Sequence, residues 1–278
     1  MTEQTKTILV LGGTGKTGRR VVERLAGRGL RVRAGSRAGT PPFDWEKPET
    51  WPDVVRGADA VYVTYQPDLA FPGAAESIRA FAELAARGGT RRLVLLSGRG
   101  EEAARVSEQG VRDSGVPEWT VLRASFFAQN FSEDFLLDPV REGLVALPAG
   151  EVAEPFVDVA DVADVAVEAL TRDGHAGQVY ELTGPRLLTL AEAAATIGEA
   201  AGREVAYLPV TPERYRSTLT AQGVPEDYAA FLADLFGGIL DGRNAHLDDG
   251  VQRVLGRAPR DFADYVKETA ATGVWTTG

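Results

Sequence analysis

Gly12, Gly15 and Gly18 fall three apart in Leu11–Gly18, LGGTGKTG, directly after the apolar run Lys6–Leu11. That spacing suits a dinucleotide. Gly12 permits a tight turn, Gly15 lets backbone approach a pyrophosphate, and Gly18 lets a helix pack closely on a strand. The helix that follows would offer free N–H groups and a partial positive charge to the phosphates. Gly15-Lys16-Thr17 also resembles the end of a nucleotide-triphosphate loop. Such a loop needs a glycine five residues earlier, where this chain has Val10. Lys16 is therefore read as a helix-start cation near the phosphates of a dinucleotide. An NAD-selective site carries Asp or Glu about 20 residues beyond the loop to hold the ribose 2′-OH. Here no acid lies between Glu23 and Asp44, and Ser36 and Arg37 stand at the expected strand end. A guanidinium with a neighbouring hydroxyl can grip a 2′-phosphate, so NADP(H) is the expected cofactor.

These residues need strands and helices to hold them. Strand patterns at Lys6–Leu11, Leu30–Gly35, Ala58–Thr64, Arg91–Leu96 and Trp119–Leu122 alternate with helical patterns at Gly18–Gly29, Ala74–Arg87 and Glu101–Ser114. Such alternation implies parallel βαβ units, hence an α/β, Rossmann-type doubly wound parallel sheet. Residues 1–155 are expected to form this domain, its sheet completed by segments near 156–184: a helix at Asp161–Thr171 and a strand at Gln178–Thr183. Residues 185–278 read as a smaller, mainly helical C-terminal lobe on the substrate side. Its helices are expected at Leu190–Ala201, behind a Thr189/Glu192 capping box, and at Pro212–Ala221, Pro225–Phe236, Asp249–Leu255 and Asp261–Ala270. Asp158 and Asp161 read as an N-cap and turn before the helix that follows them.

The 278 residues carry 30 Lys+Arg against 40 Asp+Glu, a formal charge of −10, with no cysteine and two histidines. Disulfides, thiol catalysis and cysteine-held metals are excluded. His175 and His246 are far apart in sequence, so no metal site is expected. The net charge argues against nucleic acid. No apolar stretch is long enough to span a membrane, and MTEQTKTILVLGG lacks a signal-peptide layout; a cytoplasmic protein, monomer or homodimer, is expected. The acidity hides a division. Residues 16–37 hold eight basic residues and one acid, a local +7, leaving −17 elsewhere. That positive segment reads as the receiving surface for an anionic cofactor.

Ordinary short-chain dehydrogenases use Tyr-x-x-x-Lys, in which lysine lowers the tyrosine pKa for proton transfer to a carbonyl oxygen. None of the four lysines here lies four residues after a tyrosine. The chain instead resembles the NmrA-like, atypical short-chain dehydrogenase/reductase group, nearest to the NAD(P)H:quinone oxidoreductase type 2 proteins. The resemblance runs through ILVLGGTGKTG, FDWEKPETW at 43–51, ADAVYVTYQP at 58–67, RRLVLLSGRG at 91–100, TVLRASFFAQNF at 120–131, FVDVADVADVA at 156–166 and GRNAHLDDGVQRVLGRAP at 242–259. It implies that Gly12, Thr14, Gly15, Thr17 and Gly18 line the pyrophosphate, that Ser36 and Arg37 hold the adenosine phosphate, and that Asp44 lies near the adenine. It further implies that Thr64, Tyr65, Gln66 and Pro67, the loop after the fourth strand, cover the nicotinamide ribose. Ser97 and Gly98 would end the fifth strand near the nicotinamide. Phe126, Phe127 and Asn130 would separate cofactor from substrate.

Without a strong general acid, a quinone is the acceptor that suits such a site. Hydride addition to it is driven by aromatisation and leaves a phenolate of pKa about 10. The protein then supplies placement and an apolar aromatic slot. Ser97, Asn130 and Tyr65 are the candidates for positioning the acceptor or stabilising charge, with Gln66 as a further donor. Tyr207, Tyr215, Tyr228 and Phe231 are candidates for the far wall, with Pro225–Phe236 as a lid. The competing reading is an NADP(H)-binding redox sensor that regulates a partner protein without catalysis. An open aromatic slot at the nicotinamide face favours catalysis; a slot plugged by side chains favours sensing.

Overall fold

The computed structural model describes residues 6–276. Strand β1 (Thr7–Leu11) is buried at every residue, as a strand covered on both faces must be. It leads through the glycine loop into α1 (Lys16–Gly27), then β2 (Arg31–Gly35), α2 (Trp51–Val55), β3 (Ala60–Val63), α3 (Ala74–Arg87), β4 (Arg92–Gly98), α4 (Glu102–Arg112) and β5 (Glu118–Ala124). Short elements follow: α5 (Asn130–Glu133), α6 (Leu137–Glu142), β6 (Leu144–Leu147) and β7 (Ala153–Glu154). Then come α7 (Val159–Thr171), β8 (Gln178–Leu182), β9 (Leu188–Thr189), α8 (Leu190–Ala201) and β10 (Ala206–Pro209). The chain closes with α9 (Pro212–Ala221), α10 (Glu226–Ile239), α11 (Gly250–Leu255) and α12 (Phe262–Ala270).

Six parallel strands form the central sheet in the order β2-β1-β3-β4-β5-β8. Alternation of side chains along each strand divides the apolar residues between two layers. Ile8, Val10, Ala60 and Tyr62 join the layer that α1 and α7 cover. Leu9, Leu11, Val61 and Val63 join the opposite layer with residues of α2, α3 and α4. The fold is thus Rossmann-like, as expected. Chain direction through the sheet reverses between β1 and β3, and ligands bind beyond the carboxyl ends of strands at such a switch point. A third apolar cluster joins Phe131 and Phe156 to α8, α10, α12 and Trp275.

The structure corrects several details. Thr64–Pro67 follows the third strand, not the fourth, and Ser97 and Gly98 end the fourth, not the fifth. Helix α1 begins at Lys16 rather than Gly18. The sequence pattern missed α2, α5 and α6. It also missed two small sheets, parallel β6–β10 and antiparallel β7–β9. Two to four residues are too few for periodicity to register. The capping box at Thr189 and Glu192 is present.

Asp158 caps α7 as expected, accepting the N–H of Ala160 at 2.7 Å and the side-chain amide of Gln129 at 2.8 Å. Asp161 lies inside the first turn, buried and paired with Arg257 at 2.7 Å. Loss of the Asp158 cap leaves buried donors unmatched. Asp158→Ala is therefore expected to destabilise the fold by about 1–2 kcal/mol, read from urea unfolding. An unchanged midpoint would remove Asp158 from the account of how α7 starts.

Candidate active site

Gly12 has φ +62°, and a Cβ there would fall on the Thr64 side chain. A Cβ on Gly18 would fall on the carbonyl group of Gly12. The glycine loop is therefore folded on itself, with the Gly15 N–H donating to Gly12 O at 2.8 Å. Gly15 is the N-cap of α1, no side chain caps the helix, and no acid lies in its first turn. Free N–H groups at a helix start form an anion site, so these residues fit a pyrophosphate. Gly12, Thr14, Gly15, Lys16 and Thr17 line the main cavity, of about 670 Å³. Gly18 does not; it works beneath the loop, where helix meets strand.

One end of this cavity is bordered by Ser36, Arg37 and Asp44. Arg37 is exposed and makes no ion pair among the described residues. The loop carrying Asp44 is fixed by aromatic packing. Trp45 meets Phe43, Trp51, Tyr65 and Phe81 with ring centroids 4.9–5.5 Å apart. Its indole N–H donates to Thr64 O at 3.0 Å, and that of Trp51 donates to Asp44 O at 2.8 Å. FDWEKPETW is thus a clamp that ties the loop after β2 to the loop after β3. Thr64, Tyr65, Gln66 and Pro67 all border the cavity beside it.

Ser97, Gly98, Phe126, Phe127 and Asn130 also line the cavity. Phe126 packs with Phe131, Phe156 and Phe236, whereas Phe127 packs against the sheet layer of α1 and α7. Neighbouring residues divide between two sides, as their alternation requires. Ser97 is less free than expected: it is 4% exposed, and its hydroxyl donates to Glu108 at 2.9 Å. It turns lone pairs, not a proton, to the cavity. Asn130 accepts from Lys16 Nζ at 2.6 Å, which leaves its amide N–H groups as donors. Of the far-wall candidates only Phe231 borders the cavity. Tyr207, Tyr215 and Tyr228 do not; Phe135, Leu232, Leu235, Phe236 and Ile239 stand there instead.

The positive segment is also not the bare receiving surface that its composition suggested. Lys16 pairs with Asp134, and Arg19 and Arg20 both pair with Glu133. Arg24 reaches Asp164 at 2.5 Å and Arg28 reaches Glu168 at 2.6 Å. Arg33 donates to the carbonyl oxygens of Val54 and Arg56. Most of the run clamps α1 to α5 and α7. The helix start and Arg37 remain for a phosphorylated ligand.

Acids that the sequence pattern did not single out, Asp68, Glu101 and Glu154, stand in the cavity wall. Burial first, then Asp68, its hydrogen-bond partner, raises the Glu101 carboxyl well above the usual range. Burial pushes Glu154 up to about 7, opposed by Arg99. Arg99 is itself 3% exposed and bonded to Glu181 at 2.9 Å and Asp248 at 2.5 Å. Burial would raise Glu181, but hydrogen bonds from Arg99 and Arg123 outweigh it and hold that carboxyl low. His246 joins Glu181 and Asp248 within 4.8 Å, a grouping that sequence spacing did not suggest. Both carboxylates already neutralise Arg99, and the histidine is exposed, so the group reads as an ion-pair cluster. The one available signal for Glu154 was a lone acid between Val152-Ala153 and Pro155-Phe156-Val157.

A Rossmann sheet, a glycine loop at its switch point and a bare helix start define a dinucleotide-binding protein. Residues 12–173 match the model of an NAD(P)H-binding family. The chain belongs to that family. It is 35% identical to the oxidoreductase YesF of Bacillus subtilis, over 97% of this chain and 98% of that one. It is 32% identical to the NAD(P)H azoreductase of Xenophilus azovorans, over 95% and 98%. Among solved structures, the NADPH-dependent quinone oxidoreductase QOR2 of Escherichia coli, complexed with NADPH, superposes with a TM-score of 0.79 at 21% identity, covering 94% of this chain and 99% of that one. The chain is thus an NAD(P)H-dependent oxidoreductase. Among the described residues no helix is long and apolar enough to cross a membrane.

Proposed function

We propose that this protein is an NADPH-dependent reductase of planar aromatic acceptors, a quinone or an azo compound, working in the cytoplasm. The observation that carries the reading is the continuity of the cavity. It runs from the glycine loop past Ser97 and Gly98 to Phe126, Phe135, Phe231 and Phe236. The acceptor end is therefore open and aromatic rather than plugged, which favours catalysis over sensing. The azoreductase relative, at 32% identity over nearly the whole chain, supports the same acceptor chemistry.

The bound cofactor would supply a hydride. The N–H groups at the start of α1 would hold its pyrophosphate, and Ser36 and Arg37 its 2′-phosphate. Thr64–Pro67 would cover the nicotinamide ribose. Phe126 and the residues of α10 would exclude water and hold an aromatic ring face-on. Asn130, through its amide, and Tyr65 would orient the acceptor's polar atoms.

The test is oxidation of NADPH with a panel of naphthoquinones, anthraquinones and azo dyes. Turnover with at least one class is expected. Tight NADPH binding with no turnover across the panel would replace this reading with the sensor. Cofactor choice is tested separately. Arg37→Glu should raise the Kd for NADPH by about 30–100-fold, the scale of a lost charge-assisted phosphate contact, and that for NADH by less than about threefold. Equal losses would show that Arg37 does not read the 2′-phosphate.

A further inference from the structure

Ser97 directs its proton to Glu108, and the tyrosine and lysine that border the cavity are not paired, because Lys16 is held by Asn130 and Asp134. The reduced acceptor must nevertheless gain a proton. Six acids line the cavity: Asp44 and Glu46 stand beside Arg37, Asp134 is paired with Lys16, Asp68 is bonded to Glu101, and Glu101 and Glu154 remain to be compared. Glu101 packs against Gly98, where even a Cβ would collide with its carboxyl. It is hydrogen-bonded to Asp68, so its proton is shared with a neighbouring carboxylate. Glu154 is different. It is 2% exposed, and although Glu101 Oε2 and Glu154 Oε1 are both buried without a partner, only Glu154 has no neighbouring carboxyl bonded to it. The nearby Arg99 makes no hydrogen bond to it; that guanidinium is drawn to Glu181, Asp248 and the Asn244 carbonyl. An unpartnered buried carboxylate is costly, whereas a carboxylic acid in the same place holds a proton that nothing else in the wall claims.

On the reading that the protein reduces aromatic acceptors, we infer that Glu154 is its general acid, donating a proton to the acceptor as hydride arrives. The acceptor gains two electrons and a hydrogen from the reduced cofactor, which is oxidised. The O–H bond of Glu154 breaks, and an O–H bond forms on a quinone oxygen, or an N–H bond on an azo nitrogen. The carboxylate left behind regains its proton from water. The need for an acid differs between acceptors. A quinone leaves a phenolate of pKa about 10, which tolerates a missing acid. An azo group leaves a far more basic nitrogen anion, which does not.

The charges around Glu154 set the pH dependence. Burial raises its titration to about 7, Arg99 on the loop after β4 lowers it, and Asp241 beyond α10 raises it. Asp68 and Glu101 border the same cavity from the loops after β3 and β4. Glu181 and Asp248, from β8 and the segment before α11, face Arg99. The acid form is the active one. Activity should therefore be level below pH 7 and fall above it.

The experiment compares the unaltered protein, Glu154→Gln and Asp241→Asn with NADPH, using an azo dye and a naphthoquinone. Glu154→Gln should lower kcat/KM for the dye by about 100-fold, the scale of a lost general acid, and for the quinone by less. It should abolish the pH limb near 7 and leave the Kd for NADPH, which also reports a folded protein, within about twofold. Asp241→Asn should move the limb to lower pH, because one negative charge has gone. A Glu154→Gln rate and pH profile like those of the unaltered protein would overturn the inference alone. Absence of turnover in the unaltered protein would overturn the inference together with the reading beneath it.

Discussion

Gly18→Ala should weaken NAD(P)H binding by about 100-fold, although Gly18 does not touch the cavity. Its Cβ would meet the carbonyl oxygen and carbon of Gly12 and the Cα of Gly13. These are backbone atoms, so no side chain can rotate to make room. Either α1 moves off β1 or the turn at Gly12 opens. Each displaces the N–H groups that face the pyrophosphate. Overpacking of this kind costs about 1–3 kcal/mol, and 2.7 kcal/mol corresponds to about a hundredfold in Kd. Fluorescence titration with NADPH reads the effect directly. Gly15 provides the control. A Cβ there meets only Gly12 O, at 3.3 Å, so any loss in Gly15→Ala reports contact with ligand instead of loop distortion. An unchanged Kd in Gly18→Ala would mean that the loop does not position the cofactor.

Glu108→Leu carries the largest expected cost to stability. Glu108 is 1% exposed and accepts two hydrogen bonds from Arg123, at 2.8 and 2.7 Å, besides that of Ser97. Hydrogen bonds that Arg123 donates to Glu108, and secondarily to Glu181, hold its guanidinium firmly protonated. Removing Glu108 leaves that charge on β5 with Glu181 alone and strips Ser97 of its acceptor. Breaking a buried pair from one side costs about 3–5 kcal/mol. Since Glu181 remains, the lower end is expected in urea unfolding. Arg123→Met in the same chain should recover part of the loss. If the double variant is no more stable than Glu108→Leu, the uncompensated arginine is not the cause.

The glycine loop was legible in the sequence because its determinants are local. A turn at Gly12, a close approach at Gly18 and a strand before both lie within a dozen residues. The strands of the sheet were legible for a related reason: strands buried on both faces are continuous apolar runs. The charge run at 16–37 misled because sequence gives the charges and not their partners. Arg19 and Arg24 find theirs 114 and 140 residues away, on α5 and α7. Glu154 escaped for the same reason. Its strand has two residues and pairs with β9, and its importance arises only where β7, the loop after β4 and α10 converge. Tyr207, Tyr215 and Tyr228 were favoured by residue type, but α10 turns Phe231, Leu232, Leu235 and Phe236 to the cavity instead.

The central claim is that the open aromatic end of the cavity receives a hydride acceptor from solution. Its most direct test is an anaerobic single turnover, with NADPH-loaded protein mixed against excess naphthoquinone or azo dye and followed by absorbance at 340 nm. The account predicts loss of one NADPH per site with matching formation of the reduced acceptor. It also predicts marked slowing when Phe126 is replaced by alanine. NADPH that stays bound and reduced, at acceptor concentrations that saturate any binding, would contradict it.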